Sequence, residues 1–255
     1  MLRASSCQAT FIIHLGKMGY ISSPIPLIIL FCLIASVHSE CTGPTPPEIV
    51  DALVSFYNNT LGGFWYDNNG WLSGDPCFNS WFGLAFEGRE DVSVVTQISL
   101  DGNNLTGSLL AQLSLLSDLT VMSMGMNTLT GSVPASFGDL TNLRLLRLED
   151  NFLTGTLPSS LNQLQSLNTL DLHNNSISGS ILEFQGFSEM KFLFMSNNIF
   201  SGTIPSTISL LSSIVQIYLN NNKLMGTLPP ALCDLNGHVT HLYLDHNGFT
   251  GNALD

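Results

Sequence analysis

From Val95 onward, apolar residues return in one fixed order: apolar-x-x-apolar-x-apolar-x-x-Asn-x-apolar-x-Gly. The segments LRLLRLEDNFLTGTLP and IVQIYLNNNKLMGTLP both follow it. Val95, Leu119, Leu143, Leu167, Met190, Ile214 and Val239 open seven such segments, spaced 24, 24, 24, 23, 24 and 25 residues apart. A fixed period of that size predicts a solenoid, in which each coil buries its apolar face against its neighbours. Within a coil, the alternation around Leu146, Arg147 and Leu148 predicts a short strand with the leucines inward and the arginine outward.

Each repeated column has a predicted task. Asparagines 103, 127, 151, 175, 198, 222 and 247 follow the strands, where the turning backbone loses its ladder partners. Stacked amides can bond those groups from coil to coil. Glycines 107, 131, 155, 179, 202, 226 and 251 mark a bend. Prolines 134, 158, 205 and 229 then set the backbone ahead of a short apolar stretch, such as SSLNQL, which predicts a helical turn on the outer face. Leu110 and Leu182 stand in place of that proline in two repeats.

The outward strand positions form three columns. One runs Ser99, Ser123, Arg147, Asp171, Phe194, Tyr218, Tyr243, and a second runs Gln97, Val121, Leu145, Thr169, Phe192, Gln216, His241. The third runs Asp101, Gly125, Glu149, His173, Ser196, Asn220, Asp245. Phe192, Phe194, Tyr218 and Tyr243 therefore predict an aromatic patch over the last repeats. Large, rigid rings suit recognition, so these four, with Arg147 and His241, are the candidate ligand-binding residues.

Composition narrows the setting. Seven Lys plus Arg stand against 19 Asp plus Glu in 255 residues, a balance that excludes nucleic acid and argues against an anionic membrane as partner. Residues 1–39 differ from the rest: Arg3 and Lys17 precede the apolar run IPLIILFCLIASVHS, and no acid appears before Glu40. That order predicts a secretory signal, with Met18 as an alternative start and cleavage before Glu40. Beyond it, residues 40–92 form a compositionally separate unit and residues 93–255 the repeats. Sequons at Asn58, Asn104 and Asn174 fit a secreted or cell-surface chain with glycosylation there.

In the 40–92 unit, Pro46 and Pro47 can start a helix in which Ile49, Val50, Leu53, Val54 and Phe56 recur at helical spacing. Trp65, Trp71 and Trp81 offer large surfaces to seal the first coil.

No nucleotide-binding glycine loop and no Gly-x-Ser-x-Gly elbow appears, so no catalysis and no cofactor are expected. HVTHLYLDH invites a metal reading, but His241 and Asp245 lie about 13 Å apart along a strand, too far for one ion. His173, His238, His241 and His246 are read as solvated surface positions, and no metal site is expected.

The pattern L-x-x-L-x-L-x-x-N-x-L-x-G-x-[IL]-P resembles the plant-type, extracellular leucine-rich repeat of receptor ectodomains, polygalacturonase-inhibiting proteins and secreted algal and protist proteins. The 40–92 unit resembles the N-terminal cap of that class, following ALxxxY, W, W, PC and W-x-G in order. The resemblance implies an α/β leucine-rich-repeat solenoid: parallel strands on a concave face, a second short strand after the glycine, an irregular or 3-10 convex face and a helical cap. It departs from the class at Phe86, where a cysteine is usual. A single cap bridge, Cys41 to Cys77, is what remains implied, contributing roughly 3 to 4 kcal/mol on a chain-entropy estimate.

The expected function is a non-catalytic recognition module for a peptide, protein or cell-wall glycan. One alternative is the ectodomain of a membrane receptor-like protein whose helix lies in a further segment. That would also account for the odd Cys233 and for a seventh repeat that stops early, a bare end through which copies could self-associate. Another is ice-surface binding through the loop column Thr106, Thr130, Thr154, Ser178, Ser201, Met225, Thr250, an array broken at Met225.

Overall fold

In a computed structural model, residues 13–14, 41–235 and 239–251 are described. The expected signal, apart from Ile13 and His14, lies outside these residues, as do Glu40 and His238. The chain forms the predicted solenoid. Strand β1 is Ile13–His14, and the cap follows as helix α1 (Pro47–Asn59) and strand β2 (Leu84–Arg89). The repeats contribute concave strands β3 (Val92–Ser99), β5 (Val121–Ser123), β7 (Leu145–Arg147), β9 (Thr169–Asp171), β11 (Phe192–Phe194), β13 (Gln216–Tyr218) and β15 (His241–Tyr243). Between them lie the lateral strands β4 (Thr106–Ser108), β6 (Thr128–Gly131), β8 (Phe152–Leu153), β10 (Ser178–Ser180), β12 (Ile199–Gly202), β14 (Lys223–Gly226) and β16 (Gly248–Phe249).

The concave strands stack in parallel in chain order, and equivalent residues of successive repeats pair directly, as Gln216 does with Phe192 and His241. β2 closes one edge antiparallel to β3, and β1 pairs with β15 at the other. The lateral strands form a sheet of three and a sheet of four, joined at the bridge Thr156 to Ser178.

Two devices hold the coils in register. Leucines at the inward positions are fully covered, Leu146, Leu148, Leu170 and Leu193 among them. The asparagines form the predicted ladder: Asn127 Oδ1 accepts from the Leu105 N–H at 2.9 Å, and its Nδ2 donates to the carbonyls of Leu100, Met124 and Gly125 at 2.8 to 3.0 Å. One side chain thus satisfies the backbone of two coils at a turn where no strand partner is available.

Five of the outer stretches are 3-10 turns, as in Ala111–Leu115 and Ser159–Gln163. Loss of proline at Leu110 leaves its turn in place, but the repeat carrying Leu182 is one residue shorter and has no such turn. Phe184 and Phe187 fill its core instead, each 1% exposed. Gly186 is required there, since any Cβ would collide with the Asn162 carbonyl of the preceding coil.

The residue before each ladder asparagine turns left-handed. Asn174, Asn197 and Asn221 accept this at φ 53° to 55°, but Met126 adopts φ 54° with its side chain largely in water. Asparagine tolerates that region far better than an unbranched apolar residue, so Met126→Asn is expected to stabilise the fold by about 0.5 to 1 kcal/mol. Denaturant titration checks this, and a loss of stability would mean that contacts of the methionine outweigh the backbone strain.

The cap is built as expected. α1 begins at Pro47 and buries Ala52, Leu53 and Phe56. Trp71 stacks on Tyr57 with ring centroids 5.5 Å apart and meets Trp65 and Trp81 at 4.9 Å each. The Cys41–Cys77 disulfide joins the chain ahead of α1 to this cluster, with Cα atoms 6.0 Å apart. Phe86, in the place of the expected second-bridge cysteine, is buried in the core that joins cap and repeats.

Candidate functional site

The concave face has two chemically distinct parts, both created by register. On β11, β13 and β15, the outward residues make a grid: Phe192, Gln216 and His241 in one row, Phe194, Tyr218 and Tyr243 in the next. Phe194 and Tyr218 have ring centroids 4.8 Å apart at 49°, and Tyr218 and Tyr243 lie 4.6 Å apart at 87°. Phe192 lies 6.1 Å from Phe194, and His241 lies 6.1 Å from Tyr243. Phe194, Tyr218 and Tyr243 are therefore tilted against one another, whereas His241 and Tyr243 lie nearly parallel at 24°. Burial pushes the Tyr218 phenol up to about 12, aided by neighbouring Tyr243, so it stays protonated as a hydrogen-bond donor.

The sequence-predicted aromatic residues are thus brought together with His241. Phe194 differs from expectation in one respect: it is 4% exposed and forms the floor of the patch, with Phe192 and Tyr218 beside it. Sequence columns also understated Gln216. It lies in the middle of the grid, 9% exposed, and its buried carbonyl oxygen Oε1 accepts no hydrogen bond.

Arg147 is separated from this patch by β9 and belongs to a second cluster. Its guanidinium pairs with Glu149 and approaches Asp101 at 3.9 Å. Asp101 in turn accepts from Ser123 Oγ at 2.7 Å and from the Gly125 N–H at 2.7 Å. Glu149 is 2% exposed and folds over Gly125, where a side chain would strike its carboxylate. Burial drives the Glu149 carboxyl up to about 7, reinforced by Asp171 and only partly opposed by Arg147.

His173 is not the solvated residue its sequence position suggested. It is 5% exposed, its Nδ1 lies 2.6 Å from Asp171 Oδ1, and its Nε2 lies 3.6 Å from Asp150. Burial alone would lower its pKa, but the hydrogen bond and charge of Asp171, with Asp150 and Glu149, outweigh that and raise it. The nitrogen that a hydrolase would turn toward a nucleophile thus faces a carboxylate.

Among the sequons, Asn58 is exposed at the end of α1. The amides of Asn104 and Asn174 are engaged, donating to Phe64 O at 2.9 Å and Asp150 Oδ1 at 2.6 Å. The loop column running from Thr106 to Thr250 follows the lateral strands, and the hydroxyls of Thr130, Thr154 and Ser178 donate to glycine carbonyls of the preceding coil. A polar hollow of about 290 Å³ lies near the N-terminal ends of β5 and β7, where Arg89 and Asp118 pair at 2.6 Å. It is remote from the aromatic grid in sequence and in the strand order. Among the described residues, no group of His, Cys, Asp and Glu is placed to hold a metal, and no helix is long and apolar enough to cross a membrane.

The Leucine Rich Repeat family matches residues 142–164, 166–187, 189–211 and 213–235. No curated protein matches the chain. Among solved structures, the ectodomain of the plant membrane receptor kinase GASSHO1/SCHENGEN3 from Arabidopsis thaliana, in complex with Casparian strip integrity factor 2, is 32% identical. Its TM-score is 0.58, over 61% of this chain and 19% of that one. The PEPR1–AtPEP1 structure is 27% identical with a TM-score of 0.64, over 81% of this chain and 32% of that one. A plant ice-binding protein is similar in fold, at 20% identity and a TM-score of 0.58, over 81% of each chain. The chain spans about a fifth of the GASSHO1/SCHENGEN3 chain and about a third of the PEPR1–AtPEP1 one.

Proposed function

Because this chain is a leucine-rich-repeat protein of the plant type, we propose that it is a non-catalytic extracellular recognition module that binds a peptide, protein or glycan on its concave face. The observation that carries this reading is the aromatic grid of β11, β13 and β15, rings gathered on a rigid sheet with no need of them for the coil cores. Phe192, Tyr218, Tyr243 and His241 are its contact residues, with Phe194 beneath them. Arg147 is drawn into the acidic cluster and serves it first. The cap disulfide and the exposed sequon at Asn58 support an extracellular setting.

The reading is tested by presenting the protein with a random heptapeptide display library and a glycan array. Binders are expected from one of the two, and Tyr218→Ala is expected to weaken them at least about 10-fold, as for a central aromatic anchor. Circular dichroism should show the variant folded. Binders that are indifferent to Tyr218→Ala would remove the site.

A second reading, the ectodomain of a membrane receptor-like protein, draws support from the GASSHO1/SCHENGEN3 likeness, of which this chain covers a small share. It expects a longer transcript with a run of about 20 apolar residues. The ice-surface reading has weaker support, since the lateral sheet is interrupted between β8 and β10 and its hydroxyls are partly consumed within the fold.

A further inference from the structure

Gln216 occupies the one non-ring position in the two-by-three grid of β11, β13 and β15. It is flanked across the strands by Phe192 and His241 and has Tyr218 two residues along its own strand. Its carbonyl oxygen is buried without a donor. A buried acceptor left without a partner is destabilising, and such groups are uncommon in folded chains. The matching positions in the other repeats are Gln97, Val121, Leu145, Thr169, Phe192 and His241; the one other amide among them, Gln97, donates to Ser99 Oγ at 2.7 Å, whereas the Gln216 oxygen has no partner and the backbone of β13 is already paired on both sides.

We propose that Gln216 is the hydrogen-bonding centre of the binding site and that its ligand is an extended peptide, one residue of which pairs its backbone N–H and C=O with the Gln216 carboxamide. The proposal rests on the concave-face reading given above and narrows its ligand class. In an extended chain the N–H and C=O of a single residue point to the same side, as they do when one residue exchanges both bonds in an antiparallel ladder. A carboxamide carries the matching acceptor and donor side by side, and since its oxygen is covered in the free protein, a turn about the last torsion accompanies binding and presents both to the ligand.

The rings decide between peptide and glycan. A sugar stacks on an open, flat ring face, whereas Tyr218 meets Tyr243 edge-on at 87° and Phe194 tilts at 49° to Tyr218. Rings set at such angles offer no single flat face, and the side chains that leave an extended peptide on either side of the paired residue can pack against them. Asn220 and Asp245, half-buried on two of the same repeats, give the site a polar border.

The test joins one variant to one ligand modification. Heptapeptides selected on the wild-type protein are N-methylated at one backbone position at a time and titrated against wild type and Gln216→Met, a replacement of similar length that carries neither donor nor acceptor. One N-methyl position is expected to weaken binding to wild type about 10-fold. Gln216→Met is expected to weaken the unmodified peptide about as much, and the two losses should not add. The Tm of Gln216→Met should be unchanged or higher, because the amide has no partner within the protein.

A clear fall in Tm would make the amide structural and overturn the proposal. So would additive losses at every N-methyl position, or capture of glycans alone in a Tyr218-dependent manner; in either case the concave-face reading survives. Absence of any Tyr218-dependent ligand, peptide or glycan, would overturn that reading itself, and the role of Gln216 with it.

Discussion

Asn151→Ala is expected to lower the unfolding free energy by about 3 to 5 kcal/mol, several times the effect of an ordinary surface change. The side chain accepts from the Leu129 N–H at 2.9 Å and donates to the carbonyls of Met124, Leu148 and Glu149 at 3.0 to 3.1 Å. Alanine leaves the Leu129 N–H without this acceptor at a position 6% exposed and takes one donor from each carbonyl, which keep the Asn127 amide, the Asn175 amide and the Met126 N–H respectively. Asn151→Asp should be no better, because three carbonyls would then face an acceptor. Gln163→Ala, on the exposed outer turn, serves as the comparison and should shift stability by no more than about 0.5 kcal/mol. Urea unfolding followed by circular dichroism measures both. A loss below about 1 kcal/mol for Asn151→Ala would mean that the coils are held by leucine packing alone.

The second large effect is on pH dependence. Glu149 has an ordinary value of 4.5 and a folded value of about 7. Below 4.5 it is protonated in both states, and the stability that its raised pKa confers is fully present. As pH rises from 4.5 to 7 the unfolded chain releases the proton first, so that stability is lost, by roughly 3 kcal/mol in all. His173, also raised, acts in the same direction: its contribution is present below 6.5 and disappears as pH rises through its folded value. The protein should therefore be more stable near pH 5 than near pH 8.

Gln at position 149 mimics the protonated acid, so Glu149→Gln should match wild type at pH 5 and exceed it at pH 8. Arg147 opposes the shift, and Asp171 and Asp101 reinforce it, so Arg147→Met should steepen the decline. A wild-type stability that rises from pH 5 to pH 8 would contradict the assignment of a buried, reluctantly ionised carboxyl.

Much of the architecture is legible in the primary structure because a solenoid repeats its reasons. Each leucine, asparagine and glycine column states the same local requirement seven times, so strand, ladder and bend are specified by residues close together in the chain. The cap was readable for a similar reason, since Pro46 and Pro47, the apolar spacing of α1 and the three tryptophans are local signals. The membership of the aromatic patch followed from counting periods, because register in a stacked sheet equals position in the repeat.

What only the tertiary structure decided is how each outward residue is covered, charged and partnered. Leu182 hinted at an altered repeat, but the replacement of its 3-10 turn by Phe184 and Phe187 depends on how closely Gly186 approaches Asn162. His173 and Arg147 look alike as outward polar positions. One is sealed between Asp171 and Asp150, and the other is bound to Glu149, because carboxylates from neighbouring coils converge there. Phe194 and Gln216 share outward columns with half-buried residues, and they are buried among rings that lie 22 to 25 residues away in sequence. Local periodicity fixes the direction in which a side chain leaves the backbone, but burial and pKa are sums over every neighbouring coil, and those sums exist only once the chain has folded.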